Sequence, residues 1–473
     1  MKQKLIQVET LAVFAVSLIV IFLLMIQPIV GVADNGDFMR IMGSVGLNYT
    51  DITEVYKDKY FGYIHSQYSL QAIGMGGYVS SEIIVVWLAT IIARIFSLNH
   101  VFDIRILAMI YTFIFLYAMY GLLAMNKQAA VWKNVLMAIL FILVFADIGY
   151  MAYFNSLFGE PVSFTFMLLT LAMVHILLNK IKPSKWILVV FFLAAFFLVG
   201  SKVQNAPLGI LLALFSLRFW HLREDHTWKR LVAAVSILLA IVSAVVYFSV
   251  PKEIKQINEY QTVFYGILKD SPSPKQDLKE LGLNPDLAVN AGTNYFTAEP
   301  AIKQQAPIMR EQFYPNLDHM KVALFYFKHP LRFIAKLEIA AHKGMTNRSY
   351  YLGSYEKSAN RGYGAVSYAF GTWSEFKRTY MPNNLLFIAL FALTYFYILI
   401  SKYFRTKERK KRIYLELYMV IGIMAAISFI VPLIGDGEAD LSKHLFMFNL
   451  CFDLMFVIGV LWLAFAIFDR IKK

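Results

Sequence analysis

The sequence predicts an all-α, polytopic membrane protein, and three observations support that prediction. The chain has 473 residues, of which 59% are hydrophobic and only 16% are charged. Apolar runs recur along the chain, and many approach the ~20 residues that cross a bilayer as a helix. The net charge of +14 is concentrated in short basic segments between these runs. This distribution is typical of cytoplasmic loops and argues against nucleic-acid binding.

The apolar runs predict a bundle of about ten membrane spans. They cover residues 11–31, 104–125, 131–149, 162–178, 186–201, 206–220, 231–250, 384–401, 414–434 and 445–468. The first run is long and no small-residue cleavage site precedes Asp34, so we expect it to remain as an anchor. Cys451 is the only cysteine, which excludes an intramolecular disulfide.

The run at residues 80–96 is apolar enough to span, but the charge pattern favours a helix on the outer surface. Counting it as a span would place the basic C-terminus outside and would export the dense basic segment 402–412. Without it, both termini and every strongly basic short loop are cytoplasmic. Those loops contain Lys127/Lys133, Lys180/Lys182/Lys185, Arg218/Arg223/Lys229/Arg230 and Lys402 to Arg412.

This topology divides the chain into three regions. Residues 1–250 form a transmembrane module that includes a first outer loop, 33–103. Residues 251–383 form a large extracytoplasmic region, and residues 384–473 return to the membrane with an outer motif at 435–444. An amphipathic surface helix is predicted at 330–343, either as a cap over a site or as ordinary packing of a solvated loop.

Four polar segments fall on the same predicted outer side, which indicates one site. One is the stretch Ser201 to Pro207, and the other three read Asp34-Asn35-Gly36-Asp37-Phe38, Asn155-Ser156-Leu157-Phe158-Gly159-Glu160-Pro161 and Gly435-Asp436-Gly437-Glu438-Ala439-Asp440-Leu441-Ser442-Lys443-His444. These three motifs, in this order, resemble those of the GT-C class of integral-membrane glycosyltransferases, and in particular bacterial glycan hexose transferases of the WsfD type. The resemblance implies a GT-C-like bundle with a surface helix between the first two spans, matching residues 80–96.

The resemblance assigns the catalytic roles to three carboxylates. Asp34 matches the family's first acidic position and is the expected general base, which implies inversion by a single displacement. Asp37 is expected to assist it, although it could simply favour a helix N-terminus. Glu160 is expected to hold a sugar hydroxyl or a metal, supported by Asn155. Alternatively, Glu160 only begins a helix, with Pro161 at the first position.

The resemblance implies that the leaving group is a phosphate, and its stabilisation requires cations nearby. Lys202, with Gln204 and Asn205, is one candidate, and headgroup snorkelling is its alternative. Lys443 and His444 are stronger candidates, because Glu438 and Asp440 beside them would organise unliganded cations. An exposed salt-bridge cluster remains the alternative there.

Two further features are less specific. Arg361 lies in a stretch of arginine and tyrosine that suits sugar stacking, although an interfacial aromatic belt explains it more simply. Asp453 lies inside the last span, so we expect it to face the bundle interior and to have a partner. If the site holds a metal, Asp34, Asp37 and Glu160 could bind Mg²⁺ or Mn²⁺ through oxygen ligands, but the reaction does not require one.

Together with these features, the resemblance implies a plasma-membrane hexosyltransferase with an extracytoplasmic site. Its donor would be a polyprenyl-phosphate sugar and its acceptor a cell-surface glycan or glycolipid. An upstream polyprenyl-phosphate glycosyltransferase and a flippase would supply that donor. The alternative is a transporter or flippase of lipid-linked sugar or another solute, which would place polar residues near the midplane. A non-catalytic scaffold is a third interpretation, and the outer carboxylates and lysines disfavour it.

The topology is tested by cysteine accessibility in intact cells. A cysteine replacing Gly36 is expected to react with an impermeant thiol reagent added outside, because this turn follows the first span. A cysteine replacing Glu408 is expected to stay unreacted until the cells are broken. Labelling in the opposite pattern would contradict the topology.

Overall fold

A computed structural model of the chain describes residues 7–74, 77–96, 100–124 and 130–471, with the side chains of residues 470 and 471 left out. The basic residues Lys2, Lys4, Lys127, Lys472 and Lys473 of the topology argument lie outside the described residues. The side chain of Arg470 does too.

Helices dominate the described chain, which confirms an all-α polytopic membrane protein. Eight helices there are long and apolar enough to cross a bilayer. They are Val8–Met25, Ile104–Ala124, Glu160–Asn179, Val203–Leu222, His226–Phe248, Leu385–Arg405, Arg409–Asp436 and Phe446–Asp469. Val131–Phe145 and Ile148–Asn155 together are also long and apolar enough, and they give a ninth span if this pair, which bends by 51°, crosses as one unit.

The predicted span at 186–201 corresponds to a helix of only 16 residues, Lys185–Gly200. One contact and one short connection indicate that it nevertheless runs beside Glu160–Asn179. The Lys202 ammonium, just past its end, lies 2.6 Å from the carboxylate of Glu160 at the start of the longer helix. Because a short loop joins the other two ends, both helices extend between the same two levels. The count of ten therefore depends on this helix.

Local capping explains where several spans begin. Ser184, Asp225 and Asn384 each precede a long helix, and each side chain accepts a hydrogen bond from a backbone N–H of the first turn. Such caps satisfy donors that have no partner within the helix. Pro161 lies in the first turn of Glu160–Asn179, where its missing N–H costs nothing.

The first loop contains a small antiparallel sheet that the sequence did not indicate. Its strands are Leu47–Tyr49, Gln67–Leu70 and Val101–Asp103, in that order across the sheet. Short helices at Met39–Val45 and Tyr56–Lys59 accompany it. The helix predicted at residues 80–96 is present as Ser81–Phe96.

The region 251–383 consists of two parts. Residues 260–326 have a separate hydrophobic core, whereas residues 340–373 pack into the core of the bundle. The amphipathic helix predicted at 330–343 is present as Pro330–Gly344. The other helices of this region are Lys252–Tyr260, Pro274–Glu280, Pro307–Gln312, His319–Lys328 and Thr372–Tyr380, with a π-helix at Gln261–Ile267.

Asp453 connects this region to the membrane bundle. Its carboxylate is fully buried and lies 2.7 Å from the ammonium of Lys377, which is buried as well. Its other oxygen accepts hydrogen bonds from Tyr150, Asn347 and Trp373. The sequence-based expectation of an interior partner for Asp453 is therefore confirmed.

Candidate functional site

The turn after the first span is organised by Asp34. One carboxylate oxygen accepts from the backbone N–H groups of Gly36, at 2.7 Å, and Phe38, at 3.1 Å. The other oxygen accepts from the hydroxyl of Tyr49. The side chain is buried. Burial raises the pKa of Asp34, and these hydrogen bonds oppose the rise.

Gly36 within this turn has a positive φ of 101°, a conformation that strains a residue with a Cβ. A cysteine label is therefore better placed at Met39, whose side chain is exposed.

Asp37, one helical turn further on, points away from that packing and joins two cations. Its carboxylate lies 2.9 Å from the Arg40 guanidinium and accepts a short hydrogen bond from the Lys443 ammonium. Burial alone would raise the pKa of Asp37, but Lys443 and Arg40 together lower it below its ordinary value. In turn, burial would lower the pKa of Lys443, and the Asp37, Asp440 and Glu160 carboxylates raise it overall.

A cavity of about 30 Å³ lies between these groups and the second predicted motif. Its charged lining residues are Asp37, Arg40, Glu82, Glu160, Lys202 and Lys443. The space is about that of a single water molecule. Charged side chains of all four predicted polar segments therefore meet at one point, together with Glu82.

Two carboxylates that line the cavity have unsatisfied oxygens. Lys202 pairs with only one oxygen of Glu160, and the other oxygen is buried without a partner. One oxygen of Glu82 is in the same state. Burial, reinforced by Glu160, raises the pKa of Glu82 well above its ordinary value. An unsatisfied buried carboxyl oxygen is costly, so both are expected to bind a partner that enters the cavity.

The loop at residues 435–444 closes the site from the other side. Asp440 accepts from Tyr351, at 2.5 Å, and from Asn35, at 3.2 Å. His444 lies 2.9 Å from Asp436 and 3.1 Å from Gln204. These contacts hold Lys443 over the ring of Phe158, 4.0 Å from its centroid.

Seven predicted site residues lie outside the cavity lining. The contacts of Asp34, Asp440 and His444 are given above, and the other four have structural roles. The Asn155 amide donates to two backbone carbonyls near the end of the first span. Asn205 donates to Ser163 and Ser201. Glu438 accepts from Lys269 and Lys336, both at 2.6 Å, and so ties the loop to residues 251–383. Arg361 is exposed and packs on Tyr355.

The three carboxylates suggested for a metal do not converge. Asp34 is saturated by its own turn and Tyr49, while Asp37 and Glu160 are each neutralised by lysine. Among the described residues, no group of three or more His, Cys, Asp or Glu side chains could hold a metal ion.

Sequence reasoning missed Arg40, Tyr78 and Glu82, which all line the cavity. The spacing of Arg40 from Asp37, three residues apart on a helix, was a usable signal for an ion pair. Glu82 stands at the start of an apolar run. An acidic residue in such a run is costly to bury, and that was also a signal of function.

Comparison with known proteins identifies one family. The model described as the YfdI N-terminal transmembrane domain matches residues 1–473. No curated protein matches the chain significantly. No solved structure does either.

Replacing Asp34 with alanine is expected to destabilise the fold by about 1–3 kcal/mol, because two N–H groups and the Tyr49 hydroxyl lose a buried acceptor. The melting temperature in detergent measures this loss. Asp286→Ala, at an exposed position, is the matched control and should change it little. Equal melting temperatures for the two variants would contradict a structural role for Asp34.

Proposed function

The chain belongs to the YfdI N-terminal transmembrane domain family, and we propose that it is a membrane glycosyltransferase. It would transfer a hexose from a polyprenyl-phosphate donor to a surface glycan, on the outer face of the plasma membrane. The observation that supports this proposal is the cavity itself. There, Asp37 lies against Lys443 and Arg40, so a proton acceptor and cations for a phosphate are adjacent.

The resting ion pairs suggest how the donor would activate the base. A donor phosphate has the charge and the acceptor oxygens to replace Asp37 on Lys443 and Arg40. Once these cations face the phosphate, they no longer lower the pKa of Asp37, and its carboxylate becomes a stronger base. Donor binding would therefore precede proton abstraction.

The transfer step then follows as a single displacement. The acceptor hydroxyl oxygen attacks the anomeric carbon, and its proton passes to the Asp37 carboxylate. The bond between the anomeric carbon and the phosphate oxygen breaks. The polyprenyl phosphate leaves, and Lys443 and Arg40 stabilise its negative charge. Attack from the side opposite the phosphate inverts the anomeric configuration.

The unsatisfied oxygens of Glu82 and Glu160 would serve sugar binding. Both belong to the cavity lining, and sugar hydroxyls can donate to carboxylates or accept from a protonated carboxyl. Glu160 keeps Lys202 as its counter-ion throughout. This assigns Glu160 to hydroxyl binding, as the resemblance implied, and adds Glu82.

The base assignment shifts within the first motif. Asp34 would hold the turn, because each of its oxygens already accepts a hydrogen bond and it does not line the cavity. Asp37 would be the base, since its carboxylate does line the cavity and a donor phosphate could replace it on the side-chain cations to which it is bonded. Both residues remain necessary, for different reasons.

A transport function would use charged groups inside the spans. Asp453 is such a group, but it is saturated by Lys377, Asn347, Tyr150 and Trp373. A carboxylate held by so many donors suits anchoring better than cycles of binding and release. The transferase proposal is therefore favoured.

The direct test is transfer of labelled hexose from polyprenyl-phosphate donors to a crude glycan acceptor by purified protein. Asp37→Asn is expected to reduce the rate by about 10²–10⁴-fold, since a positioned base contributes on that order. Asp34→Asn keeps one acceptor oxygen for the turn, so it should lose less activity than Asp37→Asn.

Asp286→Asn is the control, because that carboxylate is exposed and remote from the cavity lining. No transfer by the wild type with any donor sugar would reject the transferase. A wild-type transfer rate from Asp37→Asn would contradict the assignment of Asp37 as the base, but it would not contradict the transferase activity.

Lys443→Ala is expected to shift the acid limb of kcat/KM for the donor to higher pH, because kcat/KM reports the free enzyme, in which Lys443 still pairs with Asp37. Lys443 lowers the pKa of Asp37, and its loss leaves burial and the Arg40 pair. The folded-state pKa of Asp37 in the free enzyme then rises, so the base is protonated, and kcat/KM falls, at a higher pH than in the wild type. Profiles of kcat/KM from pH 4 to 8 measure the shift. A lower rate with an unchanged profile would contradict the coupling.

A further inference from the structure

Large apolar side chains are exposed along one stretch of the outer region. In the helix His319–Lys328, the exposed residues Met320, Leu324 and Phe327 recur at intervals of four and three. This spacing places them on one face of the helix. The opposite face, with Val322, Phe325 and Tyr326, is buried in the core of residues 260–326.

The exposure continues into the next helix, Pro330–Gly344. Phe327 is 84% exposed and Leu331 is 80% exposed, although such residues normally avoid water. Ile334 follows, half exposed. A contiguous run of this kind is expected to be covered by another apolar phase or surface.

Contacts at both ends place this stretch next to membrane spans. The ring of His319 lies 2.9 Å from the hydroxyl of Tyr247, near the end of the span His226–Phe248. Glu338 accepts from the backbone N–H of Leu385, the first residue of the span Leu385–Arg405. The helix pair therefore extends between the ends of two spans.

Basic residues border the apolar face. The ammonium of Lys328 is largely exposed, 3.5 Å from Glu280. Lys321 and Lys328 also line a cavity of about 230 Å³ next to Leu324. Apolar side chains bordered by lysine are the pattern of helices that lie in a lipid headgroup layer.

We propose that the face formed by Met320, Leu324, Phe327, Leu331 and Ile334 is seated in the bilayer, at the boundary between headgroups and acyl chains. The occupant is lipid, because the stretch adjoins two spans whose own outward residues contact lipid. This seating fixes the outer region at the membrane surface, and it does not depend on the transferase proposal.

Fluorescence quenching by lipid in nanodiscs tests the proposal with the full chain. Phe327→Cys carries an environment-sensitive fluorophore, and Leu324→Cys is a second reporter should the first variant fold poorly. Phe296→Cys is the matched control, since Phe296 is 70% exposed in the same region but lies off this face. Cys451 is buried and contributes little labelling.

Phosphatidylcholine–phosphatidylglycerol discs are prepared with and without phosphatidylcholine that is spin-labelled near the top of its acyl chain. The label at 327 or 324 is expected to be quenched at least about twofold more than the label at 296, with blue-shifted emission, because the face lies in the acyl boundary. Equal quenching at 327, 324 and 296 would overturn the proposal. Disulfide-linked dimers through position 327 without lipid quenching would assign the face to a second copy instead.

Discussion

The buried Asp453 carboxylate is the constraint on which the arrangement of residues 345–380 and of the loop at 435–444 depends. A charge inside a span must be neutralised by protein, because the hydrocarbon core contains no counter-ion or hydrogen-bond partner for it. Three of its four partners, Asn347, Trp373 and Lys377, come from residues 345–380 and not from neighbouring spans. That segment is thereby drawn into the bundle, where Tyr351 reaches Asp440. The loop that carries Lys443 is thus positioned from the membrane interior.

The charged residues of the candidate site are also neutralised by protein partners, but a ligand could replace those partners. Asp37 and Glu160 each pair with a lysine, yet both pairs border a cavity and leave groups that an incoming molecule can use. Breaking a buried pair is costly unless a new partner replaces the lost one. A phosphate or a sugar hydroxyl is such a partner. Asp453 is instead held by Lys377, Tyr150, Asn347 and Trp373, and this pairing suits a permanent anchor.

Hydropathy was sufficient to predict eight long spans, because long apolar runs have few stable alternatives in a bilayer. It did not predict the bend after Phe145, or that the run at 186–201 holds a helix of only 16 residues. It did locate the four polar segments, and one charged residue of each lines the cavity: Asp37, Glu160, Lys202 and Lys443. It could not rank Asp34 against Asp37, since adjacent carboxylates differ only in which contacts the turn gives them. The strands at Leu47–Tyr49 and Gln67–Leu70 were missed because three or four residues show no distinctive period. Glu82 was hidden inside a run read only for its hydrophobicity.

The small volume of the cavity has a consequence for the kinetics of association. The cavity is partly open, but the space between its ion pairs is only about 30 Å³. The proposed donor phosphate would therefore reach Lys443 and Arg40 only by displacing Asp37 from them. Binding that waits on a rearrangement has an association rate below that of simple docking. Lys443 is buried, whereas Asp37 and Arg40 are partly exposed, so added salt would weaken the Arg40 pair more than the Lys443 pair. The resting protein would bind its ligand slowly, and it would select first for ligands that can break those ion pairs.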